Sequence, residues 1–271
     1  LSVMSRPLSA RVVVLILAMY AVLAAVVLVP ASRWYHRMEV PPTDVLVAAL
    51  VVAGAGARVL RYVPQADLTV IDPVVTTAYV TRHHALMVFD QLYGLDGQLQ
   101  PRPQMVEGHT VEDDGRRWTF RLREGLRFHD NEPVLAKDVV ASIARWTRRD
   151  AMGQMVRAIQ QELAAVDDRQ FRWVLRKPYP KLLLALGKTS TPMCFIMPER
   201  IAQTDPFQQI RDPIGSGPFR FKQDEFNSGS LVVYERNPDY APSPAGEPSL
   251  VAGPKVAHFD RVEWRIITDA A

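Results

Sequence analysis

The side chains in this sequence that could do chemistry fall into three small groups. His129 precedes Asp130, His83 precedes His84, and Ser216 lies between two glycines. A histidine beside a carboxylate can transfer protons, adjacent histidines are candidate metal ligands, and a serine between glycines suggests a hydrolase nucleophile. What each group can do depends on the element that positions it.

Two of these groups are poorly placed for reactions. Adjacent residues on a helix point about 100° apart, so His83 and His84 cannot readily bind one ion, although one of them could face a cleft. Ser216 lacks both the Gly-x-Ser-x-Gly spacing and the preceding strand of a nucleophile elbow. The acidic pairs at 113–114 and 167–168 are typical of hairpin turns. None of these patterns predicts a catalytic set.

The composition excludes several kinds of partner. The 271 residues include 32 basic and 29 acidic side chains, a net charge of +3, and four arginines against two acidic residues in the first 57 positions supply +2 of it. The rest lacks a clustered basic face, so we predict no nucleic acid partner. The single cysteine, Cys194, excludes an intrachain disulfide and is interpreted as a small buried hydrophobe.

The first 57 residues are predicted to be a signal or anchor region. An uninterrupted apolar run at 12–29 reaches the lower length limit for a bilayer span, and a second run at 45–57 ends in small residues suited to signal-peptidase cleavage near Ala57. The run at 12–29 could be a membrane anchor, an export signal, sequence upstream of a misassigned start, or a buried core helix. We expect the remainder of the chain to be exported.

From residue 58 onward the pattern is mixed α/β with hairpins, not the strict alternation of a doubly wound sheet. Turn residues and alternating apolar positions predict hairpins around 114–115 and 167–169, and another joining 218–221 to 231–235. Helical periodicity predicts helices over 79–93, 135–148 and 182–186. Extended segments are expected at 58–63, 68–73 and 259–267, and a loop rich in Pro, Gly and Ser at 237–255.

One long motif carries a family resemblance. Residues 118–140 read WTFRLREGLRFHDNEPVLAKDVV, which resembles the signature of the family 5 solute-binding proteins. Three companions follow the family's order and spacing: Asp72-Pro73, the segment 214–219, and the segment 234–240. The resemblance implies a two-lobed periplasmic binding protein, type II-like, of which 58–271 would be the first lobe only, with the second lobe missing.

The resemblance also implies a function. Such proteins are non-enzymatic components of ABC importers, and they capture a small peptide-like or metal-chelate solute and deliver it to permease subunits. His129 and Asp130 would then lie in a structural loop, and we predict no catalytic residue, no metal site and no cofactor. The alternative is a membrane-tethered interaction domain that no longer binds solute.

Two positions depart from the family pattern. Asn131 stands where glycine is usual, and asparagine is the next best residue for a left-handed turn. Val134 and Leu135 offer no side-chain acceptor at the start of the following helix, an expected cost of about 1 kcal/mol. Neither departure threatens the predicted loop.

The resemblance places ligand contacts in three regions of the first lobe: the segment after Asp72-Pro73, the end of the helix after the signature, and the loop before Cys194. On this sequence they contain Val75, Thr76, Thr77, Tyr79, Arg149, Asp150, Met152, Thr189 and Ser190. Arg149 could pair with a ligand carboxylate through two parallel hydrogen bonds, or it could be a solvated surface arginine.

Overall fold

A computed structural model of the chain describes residues 50–52 and 57–267. The predicted run at 12–29, and the signal or anchor role given to 1–57, lie outside these residues apart from a short strand at 50–52 and Ala57. Within the described part, no helix is both long and apolar enough to cross a bilayer.

The described part contains thirteen strands and five α-helices. In chain order the strands are β1 (Leu50–Val52), β2 (Val59–Tyr62), β3 (Asp90–Gln91), β4 (Tyr93–Leu95), β5 (Pro101–Pro103), β6 (Val106–Glu112), β7 (Arg117–Leu122), β8 (Gln160–Ala165), β9 (Gln170–Leu175), β10 (Phe195–Ile196), β11 (Phe219–Phe221), β12 (Leu231–Arg236) and β13 (Arg261–Arg265). The helices are α1 (Tyr79–Val88), α2 (Ala136–Trp146), α3 (Ala151–Ile159), α4 (Leu182–Gly187) and α5 (Glu199–Ala202).

Two larger sheets organise the chain. A five-stranded sheet has the order β1-β2-β13-β12-β11 and is antiparallel except where β13 runs parallel to β2. A four-stranded antiparallel sheet has the order β6-β7-β9-β8. All three predicted hairpins are present, and Trp118, Phe120 and Leu122 of β7 are buried as the alternation predicted. The segment 68–73 enters no sheet.

Helix α1 ends five residues earlier than the periodicity predicted. It stops at Val88, whose carbonyl oxygen accepts a hydrogen bond from the Gly217 N–H (2.8 Å), and Phe89 is already extended. The next residues, Asp90 and Gln91, pair with β10. A distant backbone segment therefore takes the place of the next helical turn.

Each large sheet has its own hydrophobic core. Helix α2 packs Val139, Ile143 and Trp146 into the core of the four-stranded sheet, as the sequence predicted. Helix α1 packs against the core of the five-stranded sheet. Ile214 contacts both cores, so the family segment 214–219 begins where the two cores meet.

His84 lies inside the core of the five-stranded sheet and faces no cleft. It is fully buried, its Nδ1 lies 3.0 Å from the Tyr234 hydroxyl, and the Phe221 ring packs edge-on against it. Burial lowers the pKa of His84 to about 3. The structure thus assigns this histidine to the core.

The buried His84 makes stability depend on pH. Unfolding restores a pKa of about 6.5, so the unfolded state binds the extra proton and stability falls as the pH drops below 6.5; His84 should contribute a loss of about 2 kcal/mol by about pH 5. Unfolding in urea at about pH 7.5 and about pH 5 measures this loss. It should shrink by about 2 kcal/mol in H84Q and stay unchanged in H258Q, whose histidine is exposed. Equal losses in both variants would contradict the assignment.

Candidate ligand-binding surface

The three predicted ligand regions come together on one side of the chain. They are the segment 73–79, which leads into α1, the turn 147–150 between α2 and α3, and the segment 188–192 before β10. We call them the first, second and third loops. The contacts that hold each loop define the shape of the surface.

The first loop is anchored by a buried ion pair. The carboxylate of Asp72 receives two hydrogen bonds from Arg145 of α2, at 3.1 and 2.7 Å, and also accepts from the N–H of Val74 (2.9 Å) and Ile210 (3.0 Å). Both charged side chains are almost completely buried. Arg145 and Asp72 are 73 residues apart, and the sequence analysis did not predict their pairing.

The second and third loops are joined by another buried pair. Asp150 begins α3 by accepting a hydrogen bond from the Gly153 N–H (2.9 Å), and its other oxygen pairs with Lys188 Nζ (2.5 Å). The same ammonium donates to the carbonyl oxygen of Ser190 (2.8 Å). Asp150 is therefore buried, with both carboxylate oxygens engaged.

The third loop also contacts the first loop and α2. Thr191 donates its hydroxyl to the Thr77 carbonyl oxygen (3.1 Å), and the Trp146 indole N–H donates to the Pro192 carbonyl oxygen (3.1 Å). The third loop is thus tied to both of the other loops by a direct hydrogen bond or an ion pair.

Arg149 lies at the junction of the first and second loops. One guanidinium nitrogen donates to the Val75 carbonyl oxygen (3.2 Å), and the group stacks 4.8 Å from the ring centre of Phe207. Phe207 is 63% exposed. Arg149 is half-buried, so its guanidinium is not fully solvated.

A second arginine holds the other end of the first loop. Arg82 of α1 donates to the Thr189 carbonyl oxygen (3.2 Å), and its guanidinium lies 4.3 Å from the ring centre of Tyr79. Tyr79 is 61% exposed. Arg82 therefore holds two of the predicted ligand residues, Thr189 and Tyr79, although the sequence analysis did not predict a role for it.

The nine predicted residues differ in what they can offer a ligand. Tyr79, Thr77 and Ser190 are exposed. Val75, Thr76, Arg149, Met152 and Thr189 are half-buried, and Met152 packs against the core of the four-stranded sheet. Asp150 alone is buried. Four further residues shape the surface but were not predicted from the sequence: Arg82, Lys188, Thr191 and Phe207.

A separate apolar cavity of about 460 Å³ lies between α1 and the five-stranded sheet. Its lining includes Tyr62, His83, Met87, Phe219, His258 and Trp264, and none of the nine predicted ligand residues. The three-loop surface is the better candidate for a polar solute, because it presents guanidinium groups, hydroxyls and carbonyl oxygens at one place.

Comparison with known proteins identifies the family. The profile of the bacterial extracellular solute-binding proteins, family 5, middle region, matches residues 100–271. The chain belongs to this family. A probable peptide ABC transporter periplasmic-binding protein, y4tO, from Sinorhizobium fredii is 41% identical to this family 5 chain over 203 residues, which are 74% of the chain and 37% of that relative.

Solved structures establish the fold of this family 5 chain. The dipeptide-binding protein of Pseudoalteromonas sp. SM9913, in complex with Met-Leu, matches with a TM-score of 0.62 at 19% identity, over 78% of this chain and 43% of that one. NikA from Brucella suis, in complex with Fe(III)-EDTA, matches with a TM-score of 0.60 at 22% identity, over 78% and 40%. The fold is that of type II periplasmic binding proteins, and the chain spans less than half the length of these relatives.

The family 5 signature forms β7, the loop after it and the first part of α2. His129 has a structural role in that loop. Its backbone N–H donates to the Gly215 carbonyl oxygen (2.8 Å), and its ring Nε2 lies 3.0 Å from the Gly217 carbonyl oxygen. Burial is the main cause that lowers the pKa of His129, to about 4. Asp130 pairs with Arg200 at the surface. In the segments that the structure describes, no group of three or more His, Cys, Asp or Glu side chains is arranged to hold a metal ion.

Both departures of this family 5 chain from its pattern are accommodated. Asn131 adopts the expected left-handed backbone, with φ of 69°. The N-terminus of α2 has no side-chain cap from Leu135, but the Asp138 carboxylate accepts from the Leu135 N–H (2.8 Å) and from the Glu199 N–H (2.7 Å). The Asp138 carboxylate thus ties the residue before α2 to the first residue of α5, and the Ala136 N–H at the start of α2 donates to the Asp168 carbonyl oxygen (2.8 Å).

Cys194 is buried, as its apolar neighbours predicted. Burial raises the pKa of its thiol, and the nearby Asp150 carboxylate adds to the effect. A thiol that is held protonated away from solvent is a weak nucleophile. In this family 5 chain the cysteine therefore belongs to the packing beneath the third loop.

Proposed function

We propose that this chain captures a small solute on the three-loop surface in the periplasm, without transforming it, as part of an ABC importer that delivers the solute to permease subunits. The observation that carries the proposal is the convergence of three loops, far apart in sequence, on one surface of a family 5 fold. Loops held by a rigid scaffold are where binding residues concentrate.

The proposed solute is peptide-like or a metal chelate. A relative solved with Met-Leu and another solved with Fe(III)-EDTA share this fold, and both ligands carry carboxylates. Arg149 is the residue that we assign to a ligand carboxylate. Its guanidinium donates one hydrogen bond to the Val75 carbonyl oxygen, and its planar group suits two parallel hydrogen bonds to a carboxylate.

Different residues have different proposed roles. Tyr79, Thr77 and Ser190 would meet the solute directly, because their side chains are exposed. Asp150 would act through Lys188, which fixes the third loop, since both of its carboxylate oxygens are already engaged. Apolar contact would come from Val75 and Met152.

The proposal predicts capture of a peptide from a mixture. The 271-residue chain, incubated with a pool of dipeptides and examined by native mass spectrometry, should carry one dipeptide per chain. R149Q should lower the affinity for the retained dipeptide by about tenfold or more, since a hydrogen bond to a charged group contributes about 1.5 to 3 kcal/mol.

R148Q is the matched control, because Arg148 is the exposed neighbour and has no proposed ligand contact. It should bind like the unaltered chain. Equal losses in R148Q and R149Q would remove Arg149 from the site, and the absence of any adduct from the pool would count against solute capture itself.

A further inference from the structure

Arg82 and Arg149 are set apart from other arginines by their surroundings. Three half-buried arginines in the described part of the chain make no ion pair with a carboxylate: Arg82, Arg123 and Arg149. Arg123 directs three nitrogens to the carbonyl oxygens of Gln104, Ala241 and Pro242. Arg82 and Arg149 each have one such bond.

The two arginines share a second feature. Each guanidinium lies over an aromatic ring that is itself mostly exposed, Tyr79 for Arg82 and Phe207 for Arg149. Stacking leaves the edge of a guanidinium, where its N–H donors point, available for a planar anion. The stacked rings also limit the motion of both cations, so less freedom is lost when an anion binds.

Arg82 also has an unmet hydrogen-bonding need. Its Nε is buried and has no partner among the described residues. A buried donor without a partner is costly, and such groups are rare unless something else satisfies them. The carbonyl oxygen of Thr189 satisfies only one of the five guanidinium N–H groups.

Both cations border the first loop. Arg149 contacts Val75 at its start, and Arg82 contacts Tyr79 at its end. Four residue steps separate Val75 and Tyr79, so the Cα atoms of these two residues lie at most about 14 Å apart and both arginines lie beside one short stretch of chain. The backbone contacts are carbonyl oxygens, which cannot neutralise a positive charge. One small solute with two negative groups could meet both cations.

We infer that the three-loop surface selects a solute with two anionic groups, such as an acidic dipeptide or a dicarboxylate, and that Arg82 binds the second of them. This inference rests on the proposed function and adds the charge of the solute to it. Arg149 takes one carboxylate and Arg82 takes the other. Tyr79 and Phe207 hold the two guanidinium planes in place.

Two dipeptide probes that differ by one charge test the inference. Ala-Glu carries a second carboxylate where Ala-Gln carries an amide of similar shape. Calorimetric titration of the 271-residue chain should show binding of Ala-Glu about tenfold or more tighter than Ala-Gln. In ¹⁵N spectra, the Nε–H signal of Arg82 should shift with Ala-Glu and stay in place with Ala-Gln.

Variants separate recognition from support of the loop. R82Q should abolish the preference for Ala-Glu, because the loss of loop support weakens both probes alike whereas the loss of the cation weakens Ala-Glu alone. R82K should keep part of the preference because it keeps the charge. R149Q should weaken both probes. R148Q should change neither. A purely structural role for Arg82 would instead lower both affinities equally in R82Q.

The failures are distinguishable. Equal affinities of Ala-Glu and Ala-Gln for the unaltered chain, or parallel losses in R82Q, would overturn the two-anion inference and leave solute capture standing. If neither probe binds at millimolar concentration and no dipeptide is captured from the pool, the proposed function falls and the inference falls with it.

Discussion

Replacing Asp72 by asparagine should lower the free energy of unfolding by about 3 to 5 kcal/mol, the cost of leaving one member of a buried ion pair without its partner. Arg145 is fixed at this place by further bonds to the carbonyl oxygens of Thr204 (3.0 Å) and Gln208 (2.9 Å), so it cannot turn out to solvent. An amide can replace only part of the four contacts that the carboxylate accepts.

Denaturant unfolding monitored by tryptophan fluorescence measures this loss as a lower midpoint with an unchanged slope. R172Q is the control, since Arg172 pairs with Glu162 at the surface, where both side chains are about 40% exposed. Such pairs contribute little, so R172Q should change stability by less than about 1 kcal/mol. A loss in D72N as small as that of R172Q would show that the pair does not anchor the first loop.

Replacing Gly215 by alanine should be as damaging as D72N or more so. An added Cβ would lie 2.0 Å from the Val88 carbonyl oxygen and 2.8 Å from the Phe89 ring. The nearer obstacle is backbone, so a change of side-chain rotamer cannot relieve the clash. Backbone must shift at the end of α1 and in the segment that His129 holds, which should cost about 3 kcal/mol or more.

Gly108 offers the matched control for this substitution. A Cβ added to Gly108 in β6 would meet nothing within 4 Å, and alanine there should change stability by less than about 1 kcal/mol. Thermal unfolding and soluble yield compare the two variants. If G215A unfolds at the same temperature as G108A, the close approach of 215–217 to α1 is wrong.

Features fixed by neighbouring residues could be predicted from the sequence. Turn residues and alternating apolar positions predicted the hairpins, and the apolar face of 135–148 predicted α2. Both patterns depend only on residues that are close together in the sequence. Asn131 was predictable since few residues tolerate a left-handed backbone. The end of α1 was not, because a hydrogen bond from Gly217, 129 residues along the chain, replaces the next turn.

The candidate surface divides in the same way. The three loops followed from the family resemblance, but the residues that shape them did not. Arg82 lies 107 residues from Thr189, and Arg145 lies 73 residues from Asp72. A polar residue on a helix gives no local sign of a distant partner. Helix α3 was missed, although Asp150 at its start is a typical helix cap.

The position of a bound solute tests the three-loop surface most directly. Amide hydrogen exchange of the 271-residue chain should be compared with and without the dipeptide captured from the pool. We expect slower exchange in residues 74–79, 147–152 and 188–192, and unchanged exchange in the hairpin formed by β6 and β7. Protection confined to the apolar cavity beside α1, with none in the three loops, would contradict the proposed site.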